Sequence, residues 1–291
     1  MAAPVRVVKV GHVGLKVSDL SQHGEFYTDT WGLGLTEQDK DTLYLRAQEP
    51  EHHIVSLHEA GERGRNPVDH VGLQVRERDD LERAAEELAK RGLEIVTPPG
   101  PASEPGFSRA MRFRDPGGQV IELYTEPERV ADDYGDRVVK PTKLSHVVLF
   151  VPDIDAAADL YSNVLGFRQI DWNGHWMCFL NCSSDHHSLA LVAGSDARLN
   201  HVAFEVRDWM DVAKGVYNLG EKGVARVWGP GRHGPGNNVF SYFWDLDRNV
   251  IEYTCEIQQV DDSYVPRVWD PPEGQPDWWC NYPPPEAYRN S

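Results

Sequence analysis

Four histidines stand at matched places in this chain. Each opens a strand-like run: Gly11-His12-Val13-Gly14-Leu15, Asp69-His70-Val71-Gly72-Leu73, Ser145-His146-Val147-Val148-Leu149 and Asn200-His201-Val202-Ala203-Phe204. A residue type that recurs at one place of a repeated unit is put there by architecture. His146 and His201 are 55 residues apart, and Glu252 follows His201 by 51. His12 and His70 are 58 apart, and Glu122 follows His70 by 52. Two imidazoles and one carboxylate on a single face form the triad that holds Fe(II) and leaves positions open for a substrate and O2. His146, His201 and Glu252 are the candidate ligands. Their neighbours Val147, Val202, Val250 and Ile251 are apolar. An ionised Glu on such a strand needs a strong partner, and a divalent metal is one. A lone His at a strand start is usually a satisfied structural residue; three candidates at matched repeat positions reverse that expectation.

The elements that must position these groups repeat as well. After each His-Val strand comes an amphipathic helix, capped by Asp or Ser and stopped by Gly. The first two of these run from Ser18-Asp19-Leu20 to Gly32 and from about Asp79 to Arg91, the third from Pro152-Asp153 to Gly166 and the fourth from about Trp209 to Lys222. Short β-rich segments follow. Leu43-Tyr44-Leu45 is a weak one and Ile54 to Leu57 a clearer one. The even units close on hairpins, Met111 to Tyr124 around Asp115-Pro116-Gly117-Gly118 and Phe240 to Thr254 around Asp245 to Asn249. Both turns carry the residues that tight reversals favour. Each unit therefore reads βαβββ. The fold class is α+β, four such modules paired into two domains, each a curled sheet around a cavity. The domains span 1–131 and 142–260, separated by a polar stretch with Pro141. A Pro- and Trp-rich extended tail covers 261–291, with Pro271-Pro272, Trp278-Trp279 and Pro283-Pro284-Pro285. Its aromatics are expected to pack on a domain or on a neighbouring subunit.

With 291 residues and 40% hydrophobic content, the chain can build two cores. A net charge of −17 argues against nucleic acid and anionic membranes as partners. No run reaches the roughly 18 apolar residues of a membrane span. Met1 to Val10 lacks the apolar core of a secretory signal. The four cysteines, Cys178, Cys182, Cys255 and Cys280, are too few and too irregular for a disulfide framework. A reducing cytoplasm is the expected location.

Two stretches are more specific. One runs Gly231-Arg232-His233, Asn237-Asn238-Val239-Phe240-Ser241-Tyr242 and Ile251-Glu252-Tyr253; the other is Asp185-His186-His187-Ser188-Leu189-Ala190. Tyr242 precedes Glu252 by 10 residues and His233 precedes Tyr242 by 9. On these motifs, residues 8 to 258 resemble the type I extradiol ring-cleaving dioxygenases of the vicinal oxygen chelate superfamily. These include catechol 2,3-dioxygenases, 2,3-dihydroxybiphenyl 1,2-dioxygenases and homoprotocatechuate 2,3-dioxygenases. The resemblance implies that a catechol binds Fe(II) through both oxygens, that O2 enters beside it, and that the ring opens next to the diol. Mn(II) is the alternative ion, because the same ligands accept both. It further implies that His187 is the acid–base residue, that Tyr242 hydrogen-bonds the ligated oxygen, and that His233 reaches the substrate or Tyr242. Val148 and Phe179 would line the substrate pocket, and the chain would form a homo-oligomer. His186 should face away on strand alternation. Gly234-Pro235-Gly236 departs from the polar residues that biphenyl-type relatives carry near the diol. Arg232 is the one basic residue placed to meet a substrate carboxylate, so a neutral or hydrophobic catechol is expected.

The N-terminal half keeps His12, His70 and Glu122, and His52-His53 match His186-His187. By count, however, Arg112 stands where the other half has Tyr242, and Ser103 where it has His233. Chemistry is therefore placed in the C-terminal half, and a second, non-catalytic metal in the first is left open. The same fold also supports glyoxalase-type isomerases, thiol transferases and metal-free ligand-sequestering proteins, which lack the His, loop and Tyr set.

Overall fold

The computed structural model describes residues 3–61, 65–270, 277–279 and 284–285. The first unit comprises β1 (Val7–Val17), α1 (Leu20–Glu25), β2 (Gly34–Gln38), β3 (Thr42–Arg46) and β4 (Val55–Glu59). The second comprises β5 (Val68–Val75), α2 (Asp80–Lys90), β6 (Ile95–Pro101), β7 (Phe107–Arg114) and β8 (Val120–Pro127). The third follows as β9 (Lys143–Val151), α3 (Ile154–Asp159), β10 (Arg168–Asn173), β11 (Met177–Asn181) and β12 (Leu189–Ala193). The fourth is β13 (Arg198–Glu205), α4 (Trp209–Glu221), β14 (Arg226–Arg232), β15 (Val239–Trp244) and β16 (Val250–Cys255). The βαβββ order and the α+β class are as read from the sequence, and the weak segment at Leu43 forms β3.

Helix ends follow local chemistry. The Asp19, Asp153 and Asp208 carboxylates accept the backbone N–H groups of Gln22, Ala156 and Asp211, satisfying donors that the first helical turn leaves free. Asp79 differs from the expectation, since its side chain makes no cap bond. Beyond α1 and α3 the chain passes into π-helical turns, Phe26–Thr30 and Leu160–Val164. Gly32 and Gly166 then turn the chain at φ 99° and 78°, where an L side chain would be strained.

The first eight strands make one sheet in the order β2-β3-β4-β1-β5-β8-β7-β6. The other sheet runs β14-β15-β16-β13-β9-β12-β11-β10, with β17 (Arg267–Trp269) added at its edge. At the centre of each, the opening strands of paired units are antiparallel neighbours, β1 with β5 and β9 with β13. The closing strand of each even unit lies parallel to its own opening strand, β8 beside β5 and β16 beside β13. This topology brings two His and one Glu to adjacent strands in each half.

A continuous apolar core joins the halves. Trp31 stacks on Tyr253 with ring centroids 3.8 Å apart, and the Tyr253 hydroxyl bonds the Trp31 carbonyl. Each half also reaches into the other's hairpin turn. Tyr27 donates to Asp245 Oδ2 at 3.0 Å, and Tyr161 donates to Asp115 Oδ2 at 3.1 Å.

Among the described residues, the start of the tail packs on the C-terminal half. β17 runs parallel to β10, and Trp269 is buried. Pro271, Pro272, Cys280 and Pro283 lie outside the described residues. Cys178, Cys182 and Cys255 are free thiols. Among the described residues no helix is long and apolar enough to cross a membrane.

Candidate metal centre and the cavity above it

Strand register assembles the C-terminal cluster. His146 on β9 pairs with Ala203 on β13, and Ala203 pairs with Glu252 on β16. His201 lies two residues before Ala203 and so shares its face. The small Ala203 side chain leaves the space between the other two groups open. His146 Nε2 lies 3.2 Å from His201 Nε2 and 3.3 Å from Glu252 Oε2. His201 Nε2 is 3.1 Å from the same oxygen. All three residues are buried.

The environment keeps these donor atoms available. Asn200 Oδ1 lies 2.6 Å from His201 Nδ1, so that nitrogen carries the proton and Nε2 keeps its lone pair. Ser145 Oγ holds His146 Nδ1 at 3.1 Å. Asn238 Nδ2 stands 3.4 Å from Glu252 Oε1 and donates to Thr254 Oγ1 at 2.8 Å. Glu252 Oε2 has no hydrogen-bond donor although it is buried. Burial lowers His201. A buried anionic oxygen without a donor, beside two aligned imidazole lone pairs, fits a divalent metal. Such ions take N and O ligands at roughly 2.0–2.2 Å, which sets neighbouring donors about 3 Å apart.

The candidate residues of the surrounding wall converge on the same spot. Tyr242 lies opposite Glu252 in the β15–β16 register, and its ring centroid is 5.0 Å from that of His201. His233 Nε2 is 2.8 Å from the Tyr242 hydroxyl. The His187 ring stands 4.5 Å from His146 and 5.1 Å from Phe179. All of these border a cavity of about 330 Å³. Val148, opposite His201 across the strands, and Phe179 line it as well. The remaining wall is mostly apolar, with Phe150, Met177, Val192, Trp228 and Pro235. Among the described residues no Lys, Arg, Asp or Glu side chain lines it. Arg232 stays outside. It bonds Glu256 and the Asn237 carbonyl and lies over Trp279, so it is not the carboxylate partner its sequence position suggested.

His186 does point away from the cavity, toward the tail. Its Nε2 lies 3.1 Å from Asp171 Oδ2, and its Nδ1 lies 3.1 Å from His187 Nδ1. Asp171 also accepts from Trp269 Nε1 at 2.6 Å, from the Tyr264 hydroxyl at 3.0 Å and from the Arg267 backbone at 3.0 Å. The anionic Asp171 demands the proton on His186 Nε2. In the tautomer with that single proton, His186 Nδ1 accepts, so His187 Nδ1 donates and His187 Nε2 keeps a lone pair. Burial first, and the neighbouring imidazoles second, hold His187 well below its usual pKa, so it is neutral.

Asp171, Asn200 and Trp228 were not singled out from the sequence. Asn200 directly precedes a candidate ligand, and that adjacency was an available signal. Asp171 and Trp228 carried none. In the N-terminal half, counting along the chain put Ser103 where His233 sits. The structure instead places Glu104 against Arg112, as His233 stands against Tyr242. β6 and β14 both have register shifts, and such bulges defeat a count.

Residues 9–123 and 143–253 match the Glyoxalase/Bleomycin resistance protein/Dioxygenase superfamily. The chain belongs to that superfamily. Metapyrocatechase 2 of Cupriavidus necator is 28% identical over 276 residues, covering 87% of this chain and 82% of that protein. The manganese-dependent 2,3-dihydroxybiphenyl 1,2-dioxygenase of Geobacillus genomosp. 3 is 27% identical over 261 residues, 82% of each. Among solved structures, the Mn(II)-bound glyoxalase from Novosphingobium aromaticivorans superposes with a TM-score of 0.90 at 33% identity, covering 97% of this chain and 94% of its own. Homoprotocatechuate 2,3-dioxygenase from Arthrobacter globiformis gives 0.89 at 25% identity, covering 99% and 92%. The superfamily thus includes both metal-dependent oxygenases and a glyoxalase that closely resemble this fold.

Proposed function

We propose that the C-terminal half catalyses extradiol cleavage of a catechol-type ring with O2, using Fe(II) or Mn(II) held by His146, His201 and Glu252. One observation carries this reading: three buried donor atoms lie 3.1–3.3 Å apart, and the two histidines among them, His146 and His201, line a cavity that also receives His187, His233 and Tyr242. When bound, the metal supplies Lewis acidity to the diol and a redox partner for O2. The chain's own residues do the rest. Asn200 fixes the tautomer of His201, and Ser145 steadies the ring of His146. His187, neutral and with its lone pair on Nε2, accepts a proton from a substrate hydroxyl and later returns it. A positioned His of this kind contributes about a hundred- to ten-thousand-fold in rate. Tyr242, bonded to His233, presents its hydroxyl to a substrate oxygen. The apolar wall excludes water and selects a neutral catechol with a hydrophobic substituent, since a carboxylate would find no cation there.

We take the functional domains as 1–131 and 142–260, with 261–291 as a tail that buttresses His186. Free thiols fit the cytoplasm, and the half-exposed Trp278 and Trp279 fit a contact in a homo-oligomer.

The test is anaerobic reconstitution with Fe(II), then a panel of catechols and air. O2 uptake with a yellow ring-opened product is expected. The 33% identity to a glyoxalase makes an isomerase the second reading. Turnover of a thiol hemiacetal without O2 uptake would select that reading instead.

A further inference from the structure

The N-terminal half repeats the triad, and the ring-cleavage reading leaves it without a role. His12 Nε2 lies 3.1 Å from His70 Nε2 and 3.1 Å from Glu122 Oε2. His70 Nε2 is 4.0 Å from that oxygen, and no more than 1% of any of the three residues is exposed. We propose that His12, His70 and Glu122 hold a second divalent first-row transition metal, in a closed site that admits no aromatic substrate.

The surroundings are built for a cation. Asp69 Oδ2 lies 3.1 Å from His70 Nδ1, so the carboxylate accepts a hydrogen bond from Nδ1–H and Nε2 keeps its lone pair. Carboxylates orient metal-binding imidazoles in this way. Arg112 does not take the ion's place. Its Nε donates to Glu122 Oε1 at 2.8 Å, leaving Oε2 turned to the two imidazoles. Glu104 and Glu122 are both buried, and Arg112 pairs with both. Arg112 and Lys16, whose Nζ lies 3.5 Å from Asp69 Oδ1, bring two positive charges to the three carboxylates Asp69, Glu104 and Glu122, so the hollow stays anionic.

A second observation points to the same spot. Glu37 Oε2 lies 3.2 Å from His52 Nε2, and His52 Nδ1 lies 3.0 Å from His53 Nδ1. By the proton logic of the Asp171 relay, His53 Nε2 is a lone pair. It is buried and has no hydrogen-bond partner, and Glu104 Oε2 is in the same condition. Donor atoms of His12, His53 and Glu104 lie within 4.8 Å of one another. Two unpartnered acceptors beside the triad offer the ligands that would complete a closed coordination shell.

Backbone approach and access complete the case. Gly72 occupies the register place of Ala203, between His12 and Glu122. A Cβ there would meet the His12 ring at 2.1 Å, and one on Gly14 would meet the His70 ring at 2.6 Å. Over the open side, Phe107 stacks on His12 at 5.5 Å with the planes 15° apart, and Tyr124 stands 5.1 Å away. Phe107 and Tyr124 thus occupy the space beside His12, as side chains do around closed structural metal sites.

The inference rests on N-terminal residues alone, so it is separable from the ring-cleavage reading. The full chain is stripped by a chelator, loaded with Mn(II) or Zn(II), desalted and assayed for metal. Wild type should hold about two equivalents, His70→Ala and His201→Ala about one each, and the double variant none. Far-UV circular dichroism reports the fold of each. Added metal should also raise the melting temperature of His201→Ala by a few degrees, and the double variant's not at all. A single equivalent in wild type that is lost in His201→Ala, with that variant's melting temperature unmoved by metal, would overturn the proposal; one equivalent kept in His201→Ala and lost in His70→Ala would uphold it and count against the C-terminal site instead. Should His70→Ala not fold, wild type against His201→Ala decides.

Discussion

Replacing Asp171 by Asn changes one atom, yet it should cut turnover at a site the residue never touches. The Asp171 carboxylate receives four donors: His186 Nε2, Trp269 Nε1, the Tyr264 hydroxyl and the Arg267 backbone N–H. Three converge on Oδ2 and one reaches Oδ1. An Asn oxygen can keep the three, but its NH2 then faces the Arg267 N–H and that bond is lost. Trp269 and Tyr264 lose their charge assistance, worth about 1 kcal/mol each, and with the lost Arg267 bond, worth about 1 kcal/mol more, docking of the tail weakens by roughly 3 kcal/mol. The larger consequence is for protons. A neutral amide no longer requires His186 to carry its proton on Nε2. His186 and His187 can then exchange roles across their 3.1 Å contact, and His187 Nε2 spends part of its time protonated.

Orientation partners of this kind typically cost ten- to a hundredfold on removal, and kcat of Asp171→Asn should fall within about that range. The metal content should not change, because no ligand contacts Asp171. The pH dependence supplies a second readout. Burial opposes ionisation of Asp171, but its bonds from His186 and Trp269 prevail and hold its pKa below the ordinary value. A carboxylate with a lowered folded pKa contributes stability that is complete above its unfolded pKa of about 3.9 and is lost as pH falls through the folded value. Asp171→Asn should lack this acid limb, while the wild type loses tail docking between about pH 4 and lower values. Steady-state kinetics, metal analysis and hydrogen exchange of Trp269 from pH 3 to 7 measure all three quantities. Full kcat in a variant whose tail and fold are intact would refute the relay.

Tyr242→Phe removes the hydroxyl held by His233 at 2.8 Å and touches no ligand atom. It should keep its metal and lose about a hundredfold in kcat; loss of metal with the fold intact would make Tyr242 a ligand instead. Gly72→Ala places a methyl 2.1 Å from the His12 ring. Overpacking of that size costs about 1–3 kcal/mol, read as a lower denaturation midpoint at unchanged slope.

The repeat was legible because strand starts, helix caps and helix stops depend on local chemistry. His146, His201 and Glu252 could be found because their spacing recurs and because a parallel closing strand must lie beside its own opening strand. Other features depend on distant chain. The π-helical turns at Phe26 and Leu160 carry no composition signal. Tyr27 and Tyr161 read as helix aromatics, yet each bonds a turn in the opposite half. Asp171 sits in a strand and becomes intelligible only once β17 is laid against β10. Ser103 shows the limit of counting: β6 contains irregular pairing, so the residue one further on, Glu104, does the work expected of that place.

The two halves place the same ligand types at the same register positions and differ in what stands around them. Opposite the second His the C-terminal half has Val148 and the N-terminal half Gly14. Between the first His and the Glu they have Ala203 and Gly72, and opposite the Glu they have Tyr242 and Arg112. In the C-terminal half these side chains hold open a wall that a flat, uncharged molecule can enter. In the other half glycines seat the imidazoles against the sheet, Arg112 consumes the outer oxygen of Glu122, and Phe107 covers His12. Restoring Tyr at position 112 should therefore not create a second catalytic site. It would leave Glu104 and Glu122 without their shared cation and Phe107 still in the substrate's place. The expected result of Arg112→Tyr is lower stability at neutral pH, partly recovered in acid as the two carboxyls take up protons. A gain of ring cleavage by this single change, measured in a His201→Ala background, would refute this reasoning and show that a hydroxyl at position 112 is enough for the N-terminal half to act.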